Sequence, residues 1–527
     1  MAGLMSRREA LAFSSAGLSL AAVPWRALAA DADLWVDDLA NRFMAKFEVP
    51  GAAVAIVRRG QPALTRGYGI RKLGARGAVD ADTLFAIASN SKSFVSAGLA
   101  IFVDQGRIRW DQPVVELMPD FAMSDPAVTR MMTVRDLLTH RSGLALGAGD
   151  LMQFPQSDHR REEFLAGLKY LPLARGFRSG YAYDNILYVV AGILIERLSG
   201  QSWEAYTTEK LLRPLAMPDA VAGRSFVRTD NIAARHARIG PPSRGLGKLT
   251  IVEADESPAA GSAGGLQLSA RDIVKWLEVQ LGRGATPDGR RFWSEAQSAE
   301  MWTPQIITKA TNGPIAGPPT DAVLQTYGLG WFIQDFRGRR LIHHGGALSG
   351  QATQTALLPE LGIGLAVFTN TENRLPALAL RSALLDRLLG VDSYDWLEWG
   401  EAGLAKEEAD VRALLGQGDF APPPGGPSLP LDRYVGRYRD PWYGDIVIAR
   451  KGAGLAVDFT RTPVFKSALE PFGPDAFRTR FKPGTGEDAV IAFQIAGGKI
   501  TGLRLKALSP IADFSYDFHD LNPVRVD

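Results

Sequence analysis

Strand-like segments stand on both sides of a largely helical stretch, and that order constrains the fold more than any other feature of the chain. Near the N-terminal end, Ala52–Val57 is an unbroken apolar run, Arg59-Gly60-Gln61 marks a turn, and Ala63–Tyr68 returns, the pattern of a hairpin. Much further on, Tyr327–Ile333, Arg340–His343, Gln351–Leu358 and Gly362–Thr369 follow one another as a meander, with Pro359-Glu360-Leu361-Gly362 as one of its turns. Between them, the short apolar stretch Leu84–Ile87 leads into a helix over Ser89–Gln105, stopped by Gly106. Another helix spans Tyr188–Leu198 and is closed by Gly200. Thr133 with Asp136, and Ser269 with Asp272, carry the spacing of helix caps, the second opening a helix to about Leu281. Helices are also expected at Leu34–Lys46 and Leu375–Leu389. The class this predicts is α+β, with one antiparallel sheet assembled from both ends of the unit and helices packed on it.

At 527 residues the chain exceeds what one core usually holds. Ala421–Pro430 contains five prolines and two glycines and reads as a linker. Beyond it come short alternating segments: Ile446–Ile448, Leu455–Val457, Phe477–Phe481, Val490–Ile495, Ile500–Leu505 and Phe514–Phe518. These predict a small C-terminal β-barrel or sandwich. The expected divisions are a leader at 1–29, a main unit at 30–415, a linker at 416–430 and a barrel at 431–527. A unit with its own core is expected to fold without its neighbour, so the main unit should fold without the barrel.

The leader is read from Arg7-Arg8, the apolar run Ala12–Val23 and the small-x-small site Ala27-Leu28-Ala29. Together these form a twin-arginine-type export signal, which predicts a periplasmic or secreted protein. No later segment is apolar for long enough to span a membrane. The 59 basic and 57 acidic residues leave a net charge of +2 without a basic stripe, which argues against a nucleic-acid partner. The chain has no cysteine, which excludes disulfides, thiolate metal sites and a cysteine nucleophile.

Ser89-Asn90-Ser91-Lys92 carries the sharpest chemical signal. Residues three apart on a helix share a face, so the lysine amine can stand beside the serine hydroxyl. Serine needs a neighbouring base to become a nucleophile, and a desolvated lysine can be that base. Tyr183-Asp184-Asn185 precedes an apolar helix. A tyrosine beside a lysine can be partly ionised and pass protons, and an asparagine can hold a substrate amide and orient the lysine. His343-His344-Gly345-Gly346 ends a strand, where glycine lets a substrate approach the backbone. Taken singly, each pattern is also a common structural one. His140, His159, His236 and His519 read as structural or isolated. Neither a zinc-binding H-E-x-x-H nor a G-x-S-x-G elbow is present.

In order and spacing, S-x-x-K, Y-x-N and H-x-G resemble the serine-reactive penicillin-binding protein/class C β-lactamase family over about residues 35–390. Thr133–Gly143, Ser199–Trp203 and Ser262–Leu266 add to the likeness. The final segment resembles the lipocalin-like barrel appended to some of these hydrolases. The resemblance implies Ser89 as nucleophile, Lys92 as general base, Tyr183 as proton shuttle and Asn185 as a substrate contact. It puts His343 in place of the third-motif lysine, with Gly345 and Gly346 lining the substrate. The oxyanion hole would be the backbone N–H groups of Ser89 and Gly346. No cofactor or metal is implied. Histidine in place of lysine weakens the recognition of carboxylates and is the variant of D-aminopeptidases and amidases. A small peptide or amide is therefore the expected substrate. A carboxylesterase, a β-lactamase and a catalytically silent binding module are the alternatives, and the oligomeric state is left open.

Overall fold

The structure is a computed structural model, and it describes residues 33–240, 244–310, 322–416 and 422–527. The expected leader, and residues 417–421 of the expected linker, lie outside the described residues.

The main unit is built on an eight-stranded antiparallel sheet. Its strands are β1 (Gly51–Arg58), β2 (Leu64–Gly69), β3 (Ile306–Ala310), β4 (Leu324–Tyr327), β5 (Phe332–Phe336), β6 (Arg339–Leu348), β7 (Gln351–Leu358) and β8 (Ile363–Thr369). They lie in the order β2-β1-β8-β7-β6-β5-β4-β3. The join between the two ends of the unit is the β1–β8 pair, in register from Ala52 opposite Thr369 to Arg58 opposite Ile363. β1 shows no alternation in sequence because both of its faces are covered. Val54 and Ile56 pack into one layer, and Ala53, Ala55 and Val57 into the other.

The first layer contains helices α1 (Leu34–Phe47) and α5 (Arg374–Leu388) with α6 (Trp396–Gly416). On the opposite face lie α2 (Lys92–Asp104), α3 (Ile186–Ser199) and α4 (Ala270–Leu281). The expected caps hold: Ser269 and Asp272 satisfy each other's backbone N–H, and Thr133 and Asp136 do the same. Asp136 opens only a single turn, Asp136–Leu138, rather than a longer helix. Tyr327–Ile333, expected as one strand, is the end of β4, a turn at Gly328–Trp331 and the start of β5. Gly330, with φ 80°, makes that turn.

The C-terminal unit is a closed eight-stranded barrel. Its strands are β9 (Gly436–Asp440), β10 (Gly444–Lys451), β11 (Gly454–Phe459), β12 (Lys466–Pro471), β13 (Ala476–Arg478), β14 (Ala489–Ala496), β15 (Lys499–Ala507) and β16 (Val524–Arg525). Closure is made by β16, which pairs with both β9 and β15. Phe514–Phe518, expected as a strand, leaves the barrel instead. Ser515 and Asp517 are buried against the main unit while Phe518 packs on Phe459 and Phe465 of the barrel, so the period-two pattern reflects burial on two sides and not a place in the barrel sheet.

The two units share one continuous core, in which Phe164 and Leu168 belong with Trp442 and Tyr443. Arg461 of the barrel pairs with Asp158 and Glu163, and the ring of His159 meets the Tyr443 carbonyl oxygen at 2.8 Å. No helix among the described residues is long and apolar enough to cross a membrane.

Candidate active site

Ser89 lies in a 3₁₀ turn, Ala88–Ser91, that feeds directly into α2. The α-helix expected from Ser89 begins only at Lys92. In a 3₁₀ turn, side chains three apart eclipse, so Ser89 and Lys92 stand one above the other. Ala88 has a left-handed φ of 49°, a conformation that costs a residue with a Cβ about 1–2 kcal/mol. The strained turn is held to the sheet by side chains. Asn90 donates to the Ile87 carbonyl and to Thr353 Oγ1, and accepts from Thr355 Oγ1 at 2.6 Å. Thr353 Oγ1 also donates to the Ile87 carbonyl at 2.9 Å.

Lys92 is wholly buried. Its amine lies 3.2 Å from Ser89 Oγ, 2.8 Å from Asn185 Oδ1 and 2.8 Å from the Ala263 carbonyl oxygen. An ammonium thus has an acceptor for each of its three hydrogens. A neutral amine keeps the bonds to Asn185 and Ala263 and turns its lone pair to the serine hydroxyl. Burial pulls Lys92 down to about 7, against the opposing pull of Asp150 and Asp184, so both forms are present near neutrality.

Tyr183 and Asn185 come from the N-terminal end of α3, where Asn185 is the cap residue. The Tyr183 ring lies 4.9 Å from the Lys92 nitrogen. Its buried hydroxyl makes no hydrogen bond of good geometry, although the nearby Ser89 hydroxyl draws its pKa back against burial. Burial wins and holds Tyr183 as a neutral phenol. The expected partial ionisation is therefore corrected, and the group poised to take a proton is Lys92.

The third motif needs a correction of face. His343 lies on the side of the sheet away from Ser89. It is hydrogen-bonded to Gln334 at 3.1 Å, lies 3.3 Å from the Arg381 guanidinium of α5 and stacks on Phe332. Gly345 faces the same way, towards Gln354. His344 and Gly346 face the site. His344 Nε2 is 2.9 Å from the Tyr327 hydroxyl, Nδ1 is 2.6 Å from the Gly345 carbonyl oxygen, and the ring centroid is 6.4 Å from that of Tyr183. His-His-Gly-Gly fits H-x-G in two registers, and only the pairing of His344 with Thr355 and of Gly346 with Thr353 selects one. Burial lowers His344 to about 3, so it is neutral and polar where the family's lysine would be a cation. Gly346 is required for close approach: a Cβ there would stand 2.2 Å from the Ile87 carbonyl oxygen and 3.0 Å from Ala88 Cβ. The Ser89 turn and β6 are thereby brought side by side.

Three participants have no motif. The Ala263 carbonyl comes from the Ser262–Leu266 stretch, which had signalled likeness but no role. Buried Asp150 accepts from Asn185 Nδ2 at 2.9 Å and is raised to about 7 by burial. His140, also buried and with φ 54°, accepts the Asp184 backbone N–H at 3.2 Å. Its ring lies 4.2 Å from that of Tyr183, behind the tyrosine.

Residues 36–389 match the family model described as Beta-lactamase, and residues 421–525 match a domain of unknown function, DUF3471. Among curated proteins, the chain is 28% identical to Unguisins hydrolase ungD' of Aspergillus campestris, over 78% of this chain and 76% of that protein. It is 28% identical to Penicillin-binding protein 4 of Amycolatopsis lactamdurans, over 61% of this chain and 81% of that protein. Among solved structures, the octameric penicillin-binding protein homologue from Pyrococcus abyssi covers 93% of this chain and 99% of its own at 20% identity, TM-score 0.58. The D-amino acid amidase from Ochrobactrum anthropi SV3 covers 68% of this chain and 99% of its own at 21% identity, TM-score 0.56. These structural likenesses agree with the sheet, helices and barrel described above, and the family match, over residues 36–389, includes Ser89, Lys92, Tyr183 and Asn185. The chain belongs to the Beta-lactamase family, a family of serine hydrolases.

Proposed function

We propose that the protein is an exported hydrolase that cleaves peptide or amide bonds of small substrates through an acyl group carried on Ser89. The observation that carries this reading is the Lys92 amine, buried, poised near neutrality and 3.2 Å from Ser89 Oγ. In its neutral form Lys92 takes the serine proton as Oγ attacks the substrate carbonyl carbon. The oxyanion that forms is met by the backbone N–H of Ser89; the Gly346 N–H, which the resemblance implied as its partner, is used in the strand ladder opposite Thr353. Neutral Tyr183 passes the proton towards the leaving amine as the tetrahedral intermediate collapses. Water then attacks the acyl-serine by the same route in reverse and frees the enzyme.

Neutral His344 favours a substrate without a carboxylate beside the scissile bond, and so an amide or short peptide over a β-lactam. A D-amino acid amidase shares this fold. Export, to the periplasm or beyond the cell, rests on Arg7-Arg8 and the apolar segment that follows.

The test is a panel of p-nitroanilides and amides of L- and D-amino acids and short peptides, run beside p-nitrophenyl esters and nitrocefin. The highest kcat/KM should fall among the amides and should vanish in Ser89→Ala. A preference for nitrocefin would make the protein a β-lactamase, and turnover of esters alone would make it a carboxylesterase. Binding without any acyl adduct would make it a silent binding module.

A further inference from the structure

Behind Lys92 lies a carboxylate tied to the distant end of the chain. Asp150 Oδ2 accepts from Asn185 Nδ2 at 2.9 Å and from Ser515 Oγ at 2.9 Å, while Oδ1 accepts from Gln153. Asn185 Oδ1 in turn accepts from Lys92. The path therefore runs Ser515, Asp150, Asn185, Lys92, Ser89, each step a hydrogen bond. Ser515 sits 365 positions after Asp150, in the segment that leaves the barrel. Two residues on, Asp517 accepts the backbone N–H of Gly149 at 2.8 Å and of Leu151 at 3.0 Å, so the segment holds the Asp150 turn from both sides. Phe514 stands edge-on to Tyr183, with centroids 6.2 Å apart.

We propose that Asp150 and Ser515 are positioning residues for acyl transfer: Asp150, held by Ser515, governs through Asn185 whether Lys92 carries its proton. The C-terminal segment is then part of the proton-handling apparatus. This inference rests on the assignment of Ser89 and Lys92 proposed above.

The charged groups that face Lys92 are Asp150 and Asp184, with His140 and His344 lowered by burial to their neutral forms. Asp150 faces Lys92 and Asp517. Burial raises Asp150 and lowers Lys92, each to about 7, and the charge on each favours the ionised form of the other. An ionised Asp150 keeps the proton on Lys92. The bonds from Asn185 and Ser515 favour that ionised form. Taking away the charge, or the bond that supports it, should therefore free Lys92 as a base at lower pH.

The experiment is the pH dependence of kcat/KM for the full-length enzyme and for Asp150→Asn, Ser515→Ala and Ser515→Thr, with fluorophosphonate labelling of Ser89 followed in parallel. Asp150→Asn keeps the shape, and with the Gln153 side-chain amide turned over, its buried, unpartnered Oε1 can accept from the new amide. The acid limb should move down by about one pH unit in Asp150→Asn, by less in Ser515→Ala, and not at all in Ser515→Thr, which retains the hydroxyl. A loss of activity uniform across pH, with the limb unmoved in both Asp150→Asn and Ser515→Ala, would show packing alone and overturn the proposal, as would an upward shift. A parent enzyme that does not label at Ser89 would instead overturn the underlying serine reading.

Discussion

His343 and His344 show how far one residue of register reaches. They are neighbours in sequence, yet one packs against Arg381 beneath the sheet and the other lies over Tyr183. The prediction is a split phenotype. His344→Ala should lower kcat/KM by an order of magnitude or more, because it lines the site, and should also cost stability, because the ring is buried and bonded to Tyr327 and the Gly345 carbonyl. His343→Ala should leave kcat/KM within a few-fold but cost about 1–3 kcal/mol of stability, since it strips a partner from a buried guanidinium. Steady-state kinetics separates the two, with thermal denaturation run alongside, and a reversed kinetic pattern would mean that the face assignment is wrong. Ser89 and Lys92 could be placed from sequence because a spacing of three fixes a shared face in any helical turn. The histidine could not, because strand alternation says which residues share a face but not which face is inside. Asp150 and Ser515 were invisible because turns from two units bring them together.

Among the elements, the strained Ser89 turn depends on β6 passing close behind it at Gly346. Gly346→Ala puts a methyl group 2.2 Å from the Ile87 carbonyl oxygen, so strand and turn must part. The expected cost is about 1–3 kcal/mol, together with a fall in acylation rate larger than any change in KM, because the displaced turn carries Ser89 and its proposed oxyanion N–H. Single-turnover kinetics and a denaturation midpoint check it, and unchanged values for both would contradict the packing described. Helices with reciprocal caps, such as the one opened by Ser269, were legible because a cap is local chemistry. Phe514–Phe518 was misread because aromatic–polar alternation records burial on two sides and does not say what buries it. The glycines between β4 and β5 offered a turn signal that the apolar run around them obscured.

For the whole molecule, the two-end origin of the sheet was legible, since β1 and β8 are both apolar runs that need two covered faces. The barrel expected after the proline-rich stretch is present. That stretch suggested an independence that the continuous core and the Arg461 ion pairs argue against. Truncation near Ala421 removes Ser515 and Asp517 and bares the apolar face around Phe164 and Leu168. The shortened protein should be insoluble or melt at least several degrees lower. Soluble truncated protein with an unchanged Tm and full reactivity at Ser89 would show that the main unit stands alone. The central claim, a serine activated by a buried lysine, is tested most directly by intact-mass analysis after fluorophosphonate treatment, with peptide mapping of the adduct. One adduct per chain is expected on Ser89, formed faster as pH rises through about 7, where Lys92 loses its proton, and absent from Ser89→Ala. An adduct on another residue, or a Ser89→Ala protein that labels and turns over like the parent, would contradict it.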